Sequence, residues 1–157
     1  MEIYHASNQI VEFPEIRKGK YGKDFSWGFY CTESYEQAIR WARRNRNTPT
    51  INIYDYYLQV GLKILKFDEM TNEWLDFVAV CRAGNIHDYD IVEGPMANDT
   101  VWNYVNDYLA GDISKAAFWE LAKFKHPTHQ ISFHTLKALD CLKFERSTTL
   151  DEWSRKK

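Results

Sequence analysis

His5 is the residue near the start of the chain that is best placed to do chemistry. The segment Glu2–Ser7 is predicted to form a short strand that leads into a turn, because Ile3 and His5 share one face while Tyr4 takes the other. His5 therefore lies at a strand end. A lone histidine is usually a structural or surface residue, so this position becomes informative only in combination with others.

The segment Gly28-Phe29-Tyr30 is the second candidate for chemistry. Glycine lets a backbone come close to a flat ligand, and a tyrosine ring offers a face on which a nucleobase or a nicotinamide ring can stack. The chain is 16% aromatic, which supplies such faces in excess, although core packing is the commoner use of aromatic residues. The pattern indicates either a planar-ligand site around Tyr30 or a packed core.

Positive charge is concentrated in a loop that contains Arg17, Lys18, Lys20 and Lys23. The net charge of -2 gives no global attraction to nucleic acid or to anionic membranes, so any phosphate binding must be local. The basic loop could hold a pyrophosphate or guide an anionic acceptor. A solvated surface loop is the alternative interpretation.

The order of predicted elements indicates one α+β domain over residues 1–147, followed by a polar tail over residues 148–157, because strands and helices mix without regular alternation. The predicted strands are Glu2–Ser7, Trp27–Thr32, Ile51–Tyr57, Lys63–Phe67, Tyr89–Pro95, Gln130–His134 and Leu142–Glu145. The third and fourth form a hairpin-like pair, and the fifth is broken by Gly94-Pro95. The first predicted helix has Thr32 or Ser34 as its N-cap and ends near Arg46, and the second spans Glu73–Cys81. The third begins at Asp99 or Thr100 and ends at Leu109, the fourth begins at Asp112 or Ser114 and ends at Phe124, and Leu136–Cys141 is a short helical turn.

Several classes of protein are excluded by the absence of their motifs. There is no Gly-rich phosphate loop, no paired-cysteine motif and no HExxH-type helix, and the three cysteines are too widely spaced for a metal site or a disulfide framework. The N-terminus lacks a signal peptide, and no apolar run approaches the roughly 18 residues that span a bilayer. We expect a cytoplasmic protein without a metal ion and without membrane contact.

Three segments together resemble the signature of the histidine-tyrosine-glutamate ADP-ribosyltransferases, the diphtheria-toxin-like and poly(ADP-ribose) polymerase-like enzymes. They are Tyr4-His5-Ala6-Ser7, Gly28-Phe29-Tyr30-Cys31-Thr32 before a helix, and a late strand that opens at Gln130. Over nearly the whole chain the sequence is similar to a small uncharacterised bacterial family of that fold group. The further matching segments are Asp24-Phe25, Gln37-Ala38, Trp41-Ala42, Lys66-Phe67-Asp68, Trp74-Leu75-Asp76-Phe77, Asp88-Tyr89-Asp90-Ile91-Val92, Gly94-Pro95 and His134-Thr135.

The resemblance implies a core of two small packed antiparallel or mixed sheets with flanking helices, and NAD as co-substrate. It places His5 on the adenosine-ribose hydroxyl, the backbone of Ala6 on the nicotinamide amide with Ser7 in support, and Tyr30 on the nicotinamide ring with Tyr35 on its other face. The residues predicted to bind the cofactor are thus His5, Ala6, Ser7, Gly28, Phe29, Tyr30 and Tyr35, and the catalytic set is His5, Tyr30 and Gln130.

Gln130 departs from the resembled pattern, which has glutamate there. Glutamine can hydrogen-bond the nicotinamide-ribose 2'-hydroxyl, but it supplies neither a negative charge for the oxocarbenium-like state nor a base for the acceptor. Three alternatives follow: the acceptor is already nucleophilic, another carboxylate such as Asp90 or Asp99 serves, or the domain only binds NAD. If Gln130 faces the ribose, Gln130→Glu should raise NAD hydrolysis. A second departure is Ser26-Trp27, where the resembled pattern has Gly-Lys. Because this lysine is absent, phosphate binding would fall to the basic loop.

The resemblance implies that the protein is a bacterial enzyme that transfers one ADP-ribose to an intracellular macromolecule, either a protein or a nucleic acid. A toxin of a toxin-antitoxin pair, with an antitoxin protein as partner, is the setting that the fold group suggests. The alternatives are a non-catalytic NAD or nucleotide sensor and an RNA-modifying relative such as a 2'-phosphotransferase.

Overall fold

The structure is a computed structural model that describes residues 1–19, 23–44, 48–97, 99–125 and 127–150, apart from the side chain of Asp99. The strands are β1 (Glu2–Ser7), β2 (Phe29–Cys31), β3 (Thr50–Tyr56), β4 (Ile64–Lys66), β5 (Ile91–Pro95), β6 (His129–Phe133) and β7 (Leu142–Thr149). The helices are α1 (Tyr35–Arg43), α2 (Asn72–Arg82), α3 (Asp99–Leu109), α4 (Lys115–Ala122) and α5 (Leu136–Leu139). In these ranges no helix has the length and apolar character needed to cross a membrane.

Two small sheets form the framework, as predicted for an α+β domain. The three-stranded sheet has the order β1-β3-β7 and is antiparallel, while the four-stranded sheet has the order β2-β6-β5-β4 and is mixed because β4 runs parallel to β5. A single antiparallel bridge between Tyr4 and Thr32 joins β1 to β2. The two sheets therefore share one edge and diverge from it.

The two sheets pack against each other through their inner faces. Strand alternation sends Ile3 and Tyr54 of one sheet and Ile131 and Phe133 of the other into a common buried core. Helix α1 covers the outer face of the three-stranded sheet, and α2, α3 and α4 contribute to a core with the outer face of the four-stranded sheet. Four layers result, and the edge where β1 meets β2 lies between the two helical layers.

Hydroxyl side chains begin the helices where the sequence predicts them. The Oγ of Ser34 accepts a hydrogen bond from the N–H of Gln37 at 3.1 Å, and Ser114 caps α4 in the same way through Ala117. Helix α1 can approach the sheet closely because Ala38 and Ala42 are fully buried against it. These caps fix where each helix starts relative to the strand before it.

The predicted hairpin-like pairing of Ile51–Tyr57 with Lys63–Phe67 is wrong. β3 and β4 belong to different sheets, and β4 pairs with β5 instead. β5 also continues through Gly94 and Pro95, where the sequence predicts a break, because Gly94 packs directly on Phe67 at a distance that leaves little room for a side chain. α1 ends at Arg43 rather than near Arg46, which lies outside the described residues.

β7 extends past the predicted boundary of the domain. Thr148 and Thr149 pair with Ile51 and Thr50 of β3, and Leu150 packs against the core beneath α1. The first residues of the predicted polar tail are thus part of the sheet, because the ladder with β3 supplies backbone partners for a polar strand. Residues 151–157 lie outside the described part.

Candidate functional site

The gap where β1 and β2 separate is the centre of the candidate site, and we call it the seam. Tyr4 and Thr32 exchange two backbone hydrogen bonds of 2.8 and 2.9 Å, and the strands part beyond them. The next facing pair, Ala6 and Tyr30, is not joined by a backbone bond. Instead, the Nδ1 of His5 lies 2.7 Å from the carbonyl oxygen of Tyr30, so the imidazole takes the place of a ladder bond.

The peptide groups of Ala6 point into the seam. The odd-numbered residues of β1 form the hydrogen-bonded pairs with β3, as the 2.8 Å bond from the N–H of Tyr56 to the carbonyl of Met1 shows. The even-numbered residues therefore turn their N–H and C=O toward β2, as Tyr4 does. Among the described residues none bonds to the N–H or C=O of Ala6, although Ala6 is buried. Buried backbone groups are paired with protein groups, ordered water or a ligand, so the Ala6 peptide is a candidate binding position.

The ring of His5 lies on the inner side of the seam. It stacks on the buried ring of Phe29, with centroids 4.0 Å apart, and it shares the inner face with Ile3. Because the carbonyl oxygen of Tyr30 can only accept, the hydrogen on Nδ1 fixes the tautomer of neutral His5 and leaves the lone pair on Nε2. The predicted strand-end histidine is thus held rigidly against the neighbouring strand.

The side chain of Tyr30 lies on the outer side and anchors a loop. Its hydroxyl donates to the carbonyl of Ser26 at 2.5 Å and accepts from the N–H of Phe25 at 3.0 Å. Burial and the nearby carboxylate of Asp24 raise the pKa of Tyr30, so the hydroxyl keeps its proton and its donor role. We call residues 23–28 the anchored loop; it includes Ser26, which has a positive φ of 75°.

Gln130 also holds the anchored loop. Its side chain is buried, and its Nε2 donates to the Oδ2 of Asp24 at 2.9 Å. The same carboxylate accepts from the N–H of Ala97 at 2.8 Å and forms an ion pair with Arg82, whose guanidinium stacks on Trp102. Tyr30 and Gln130 therefore lie on the same outer side, and both bond to the anchored loop.

Asp90 does not replace the missing glutamate. Its two carboxylate oxygens accept from the N–H of Lys63 at 2.8 Å and from the hydroxyl of Thr135 at 2.7 Å, and these bonds lower its pKa. It precedes β5 at the end opposite Gly94, the residue that pairs with Gln130. The structure thus gives no support to the alternative that Asp90 serves, and the side chain of Asp99 lies outside the described part.

The remaining predicted cofactor residues are distributed over both sides of the seam. Phe29 is a core residue whose ring meets Tyr54 edge-on at 5.7 Å, and the hydroxyl of Ser7 accepts a long 3.4 Å bond from the N–H of Gln9. Tyr35 stacks on Tyr4 with centroids 3.8 Å apart, on the outer face of β1. The Tyr35 ring is therefore held by Tyr4 rather than paired with the ring of Tyr30.

The structure gives a different reason for glycine at position 28 from the one that the sequence indicates. A Cβ there would lie 2.7 Å from the Nδ1 of His134 and 2.8 Å from the carbonyl oxygen of Phe133. The close approach that needs glycine is thus to the protein's own histidine. This is a correction to the interpretation of Gly28 as room for a flat ligand.

Two histidines that were not singled out from the sequence also bind the anchored loop. The Nε2 of His87 lies 2.7 Å from the carbonyl of Phe25, and the Nδ1 of His134 lies 2.8 Å from the carbonyl of Trp27. Their rings meet edge-on at 4.4 Å. The segment His134-Thr135 belongs to the pattern of the resembled family, which is the signal that could have drawn attention to it.

The His134 ring makes the stability of the fold dependent on pH. Burial, with a smaller contribution from His87, lowers the pKa of His134 from 6.5 to about 4. A lowered folded-state pKa means that this stability is present above pH 6.5 and is lost as the pH falls toward 4. We expect urea unfolding to show a loss of about 2 kcal/mol in this window, after allowing for partial exposure of the ring.

The control for this measurement is His134→Asn, which keeps a donor near Trp27 without a titrating ring. Its unfolding free energy should vary less between pH 6.5 and 4 than that of the wild type. An unchanged pH profile would contradict the assignment of this window to His134.

Two lysines bring positive charge to the outer side of the anchored loop. The Nζ of Lys18 lies 5.9 Å from the ring centroid of Trp27, and the Nζ of Lys23 lies 5.9 Å from that of Tyr30. Arg17 pairs with Glu15 at 3.3 Å, whereas neither lysine forms an ion pair with a described acidic residue. Lys20 lies outside the described part. Two exposed cations are thus available for an anionic group next to Tyr30.

A hollow of about 240 Å³, which Gln130 lines, lies at one end of β5 and β6. His87 and His134 lie at the opposite end of these strands. The hollow adjoins a groove of about 480 Å³ through Asp68 and His129. Glu93 lines the hollow, with its carboxylate 4.0 Å from the Nζ of Lys66, and burial raises the pKa of Glu93. No predicted site residue other than Gln130 reaches this region.

The fold is an α+β domain of two joined sheets, with polar groups of His5, Ala6 and Tyr30 at the joint. The chain belongs to the family described as "Protein of unknown function (DUF3990)", whose model matches residues 1–144. No curated protein and no solved structure matches the chain.

Proposed function

We propose that this domain binds NAD at the seam and transfers its ADP-ribose to an intracellular macromolecule. The peptide of Ala6 carries the proposal, because its N–H and C=O both point into the seam and are buried without a described partner. A primary carboxamide offers one acceptor and one donor side by side. It can therefore satisfy both groups at once, and nicotinamide carries such a carboxamide.

Other groups around the seam have the chemistry that the rest of NAD requires. The imidazole of His5 is held beside the seam by the carbonyl oxygen of Tyr30, at the position of the histidine that the resemblance places on the adenosine-ribose hydroxyl. Lys18 and Lys23 lie beside Trp27 and Tyr30, where a pyrophosphate could be bound. These features support the residue roles that the resemblance implies for His5 and Ala6.

The reaction itself needs little proton transfer. The bond between C1' of the ribose and the nicotinamide nitrogen breaks, and its electron pair neutralises the positively charged ring. The acceptor nucleophile forms the new bond to C1' and releases its proton to solvent. Rigid positioning of the ribose and the leaving group is the main requirement. Because Gln130 supplies no base, the acceptor must be nucleophilic without help from it.

A second candidate function is a sensor that binds NAD without cleaving it. The observation that favours it is the bond between Gln130 and Asp24, since that carboxylate is already neutralised by Arg82. In this case the seam would still bind NAD, and no nicotinamide would be released.

The test of the proposed site is Ala6→Pro, which removes the N–H of residue 6 and adds little volume. That N–H takes no part in the ladder with β3, so the fold should be retained. We expect NAD affinity, measured by calorimetry, to fall about 10-fold, and nicotinamide release in the presence of cell lysate or nucleic acid to fall with it.

Ala6→Gly is the matched control, since it keeps the N–H and should bind NAD as the wild type does. Equal affinities of Ala6→Pro and the wild type would contradict the binding site. Tight binding by the wild type without nicotinamide release would exclude the transferase and leave the sensor.

A further inference from the structure

The loop between β3 and β4 exposes several apolar side chains beside helix α5. Tyr57, Leu58 and Val60 of this loop are 59%, 60% and 97% exposed, and Leu136 at the start of α5 is 78% exposed. Single exposed apolar residues are common on protein surfaces, whereas several that lie together mark a surface that binds another molecule. The contacts between the loop and α5 decide which case applies here.

Two side-chain hydrogen bonds fasten the loop to α5, one donated from each side. The Nε2 of Gln59 donates to the carbonyl of Asp140 at 3.0 Å, and the Nζ of Lys137 donates to the carbonyl of Gly61 at 3.0 Å. The loop and the helix therefore form one ordered surface. We call it the loop–α5 patch, and its apolar members are Tyr57, Leu58, Val60 and Leu136.

The outward face of α5 carries both signs of charge. Ala138 and Leu139 form its buried face. Leu136, Lys137 and Asp140 are exposed and lie within about 100° of arc on the other side of the helix. Within the described part of the chain, neither Lys137 nor the carboxylate of Asp140 forms an ion pair. One cation and one anion thus border the apolar side chains of the patch.

We propose that the loop–α5 patch is the contact surface of a two-fold dimer of this chain. A two-fold interface pairs a patch with itself, so the patch must be complementary to its own charges. When two copies of α5 meet antiparallel across the axis, Lys137 of each copy faces Asp140 of the other. The apolar side chains then form the centre of the interface and the charges form its rim. A partner surface with one sign of charge would repel one of the two rim residues.

This inference goes beyond the proposed function, because no residue of the patch is one of the groups at the seam. Along β3, Thr50 pairs with Ser7 beside the seam, whereas the loop follows Tyr56 at the other end of the strand. The seven residues of β3 span roughly 20 Å. Dimerisation can therefore be tested without NAD, and its outcome does not depend on whether NAD binds.

The first test is Val60→Glu, measured by analytical ultracentrifugation. The wild type should change from one chain to two as its concentration rises from about 1 to 100 µM. Because Val60 is almost fully exposed, the substitution should leave the melting temperature of the monomer unchanged. In the dimer it brings two carboxylates into the apolar centre, so the dissociation constant should rise at least about 10-fold.

Phe124→Glu is the matched control, since Phe124 is 80% exposed and follows α4, on the outer side of the four-stranded sheet. This variant should dimerise as the wild type does. A wild type that stays monomeric over the whole concentration range would overturn the inference. So would a Val60→Glu variant that dimerises as tightly as the wild type, or an equal loss of dimer in Phe124→Glu.

Two charge reversals test the two-fold arrangement. In Lys137→Glu dimers the new carboxylate faces Asp140, and in Asp140→Lys dimers two ammonium groups face each other, so each variant should dimerise about 5-fold more weakly. In an equimolar mixture, each new charge faces an opposite charge, and Lys137 of one variant faces Asp140 of the other. The mixture should therefore dimerise more tightly than either variant alone. If it does not, Lys137 and Asp140 do not meet across a two-fold axis and the inference fails.

Discussion

Gln130→Glu should destabilise the protein by about 3–5 kcal/mol at pH 7, because it buries a second carboxylate against Asp24 with only Arg82 as counter-ion. The Nε2 that now donates to Asp24 at 2.9 Å would become an oxygen that repels it. Protonation of either carboxyl relieves the repulsion, so the loss should shrink as the pH falls from 7 toward 5. Urea unfolding at both pH values measures this difference.

The control for this prediction exchanges the two groups. In the double variant Asp24→Asn with Gln130→Glu, one carboxylate and one amide are again present beside Arg82, and at least half of the lost stability should return. Gln130→Met, which loses the hydrogen bond without adding charge, should cost about 1–2 kcal/mol. If Gln130→Glu folds as stably as the wild type and hydrolyses NAD faster, then Gln130 faces the ribose, as the sequence alone predicts.

Gly28→Ala should destabilise the protein by about 3 kcal/mol, since its Cβ would clash with the ring of His134 and with a backbone carbonyl that cannot move easily. The displaced ring would also lose its bond to the carbonyl of Trp27, one of the contacts that hold the anchored loop. The change in unfolding free energy, measured without ligand, is the relevant quantity.

Gly84→Ala provides the comparison, because Gly84 has a φ of 99° but nothing within 4 Å of an added Cβ. It should cost about 1 kcal/mol from backbone strain alone. If Gly28→Ala costs no more than Gly84→Ala and instead weakens NAD binding, the glycine makes room for a ligand rather than for His134.

The local elements follow from the sequence where short-range patterns control them. β1 has the predicted bounds, and Ser34 and Ser114 begin their helices as hydroxyl caps should. The pairing of strands that are distant in the chain was harder to predict from the sequence. β4 joins β5 rather than β3, because an apolar pattern gives the faces of a strand but not the identity of its neighbour.

For the candidate site, the sequence by itself determined the residue types and the alternation along β1, where His5 shares a face with Ile3 while Tyr4 takes the other. The outer position of Tyr30 and Gln130 came only from the structure. Only the tertiary structure decided the partners of His5 and Gln130, because their bonds join residues 25 and 106 positions apart in the chain. It joined Tyr30 and Gln130 to the anchored loop and, within the described part of the chain, left the peptide of Ala6 without a hydrogen-bond partner beyond the bridge that joins the two sheets.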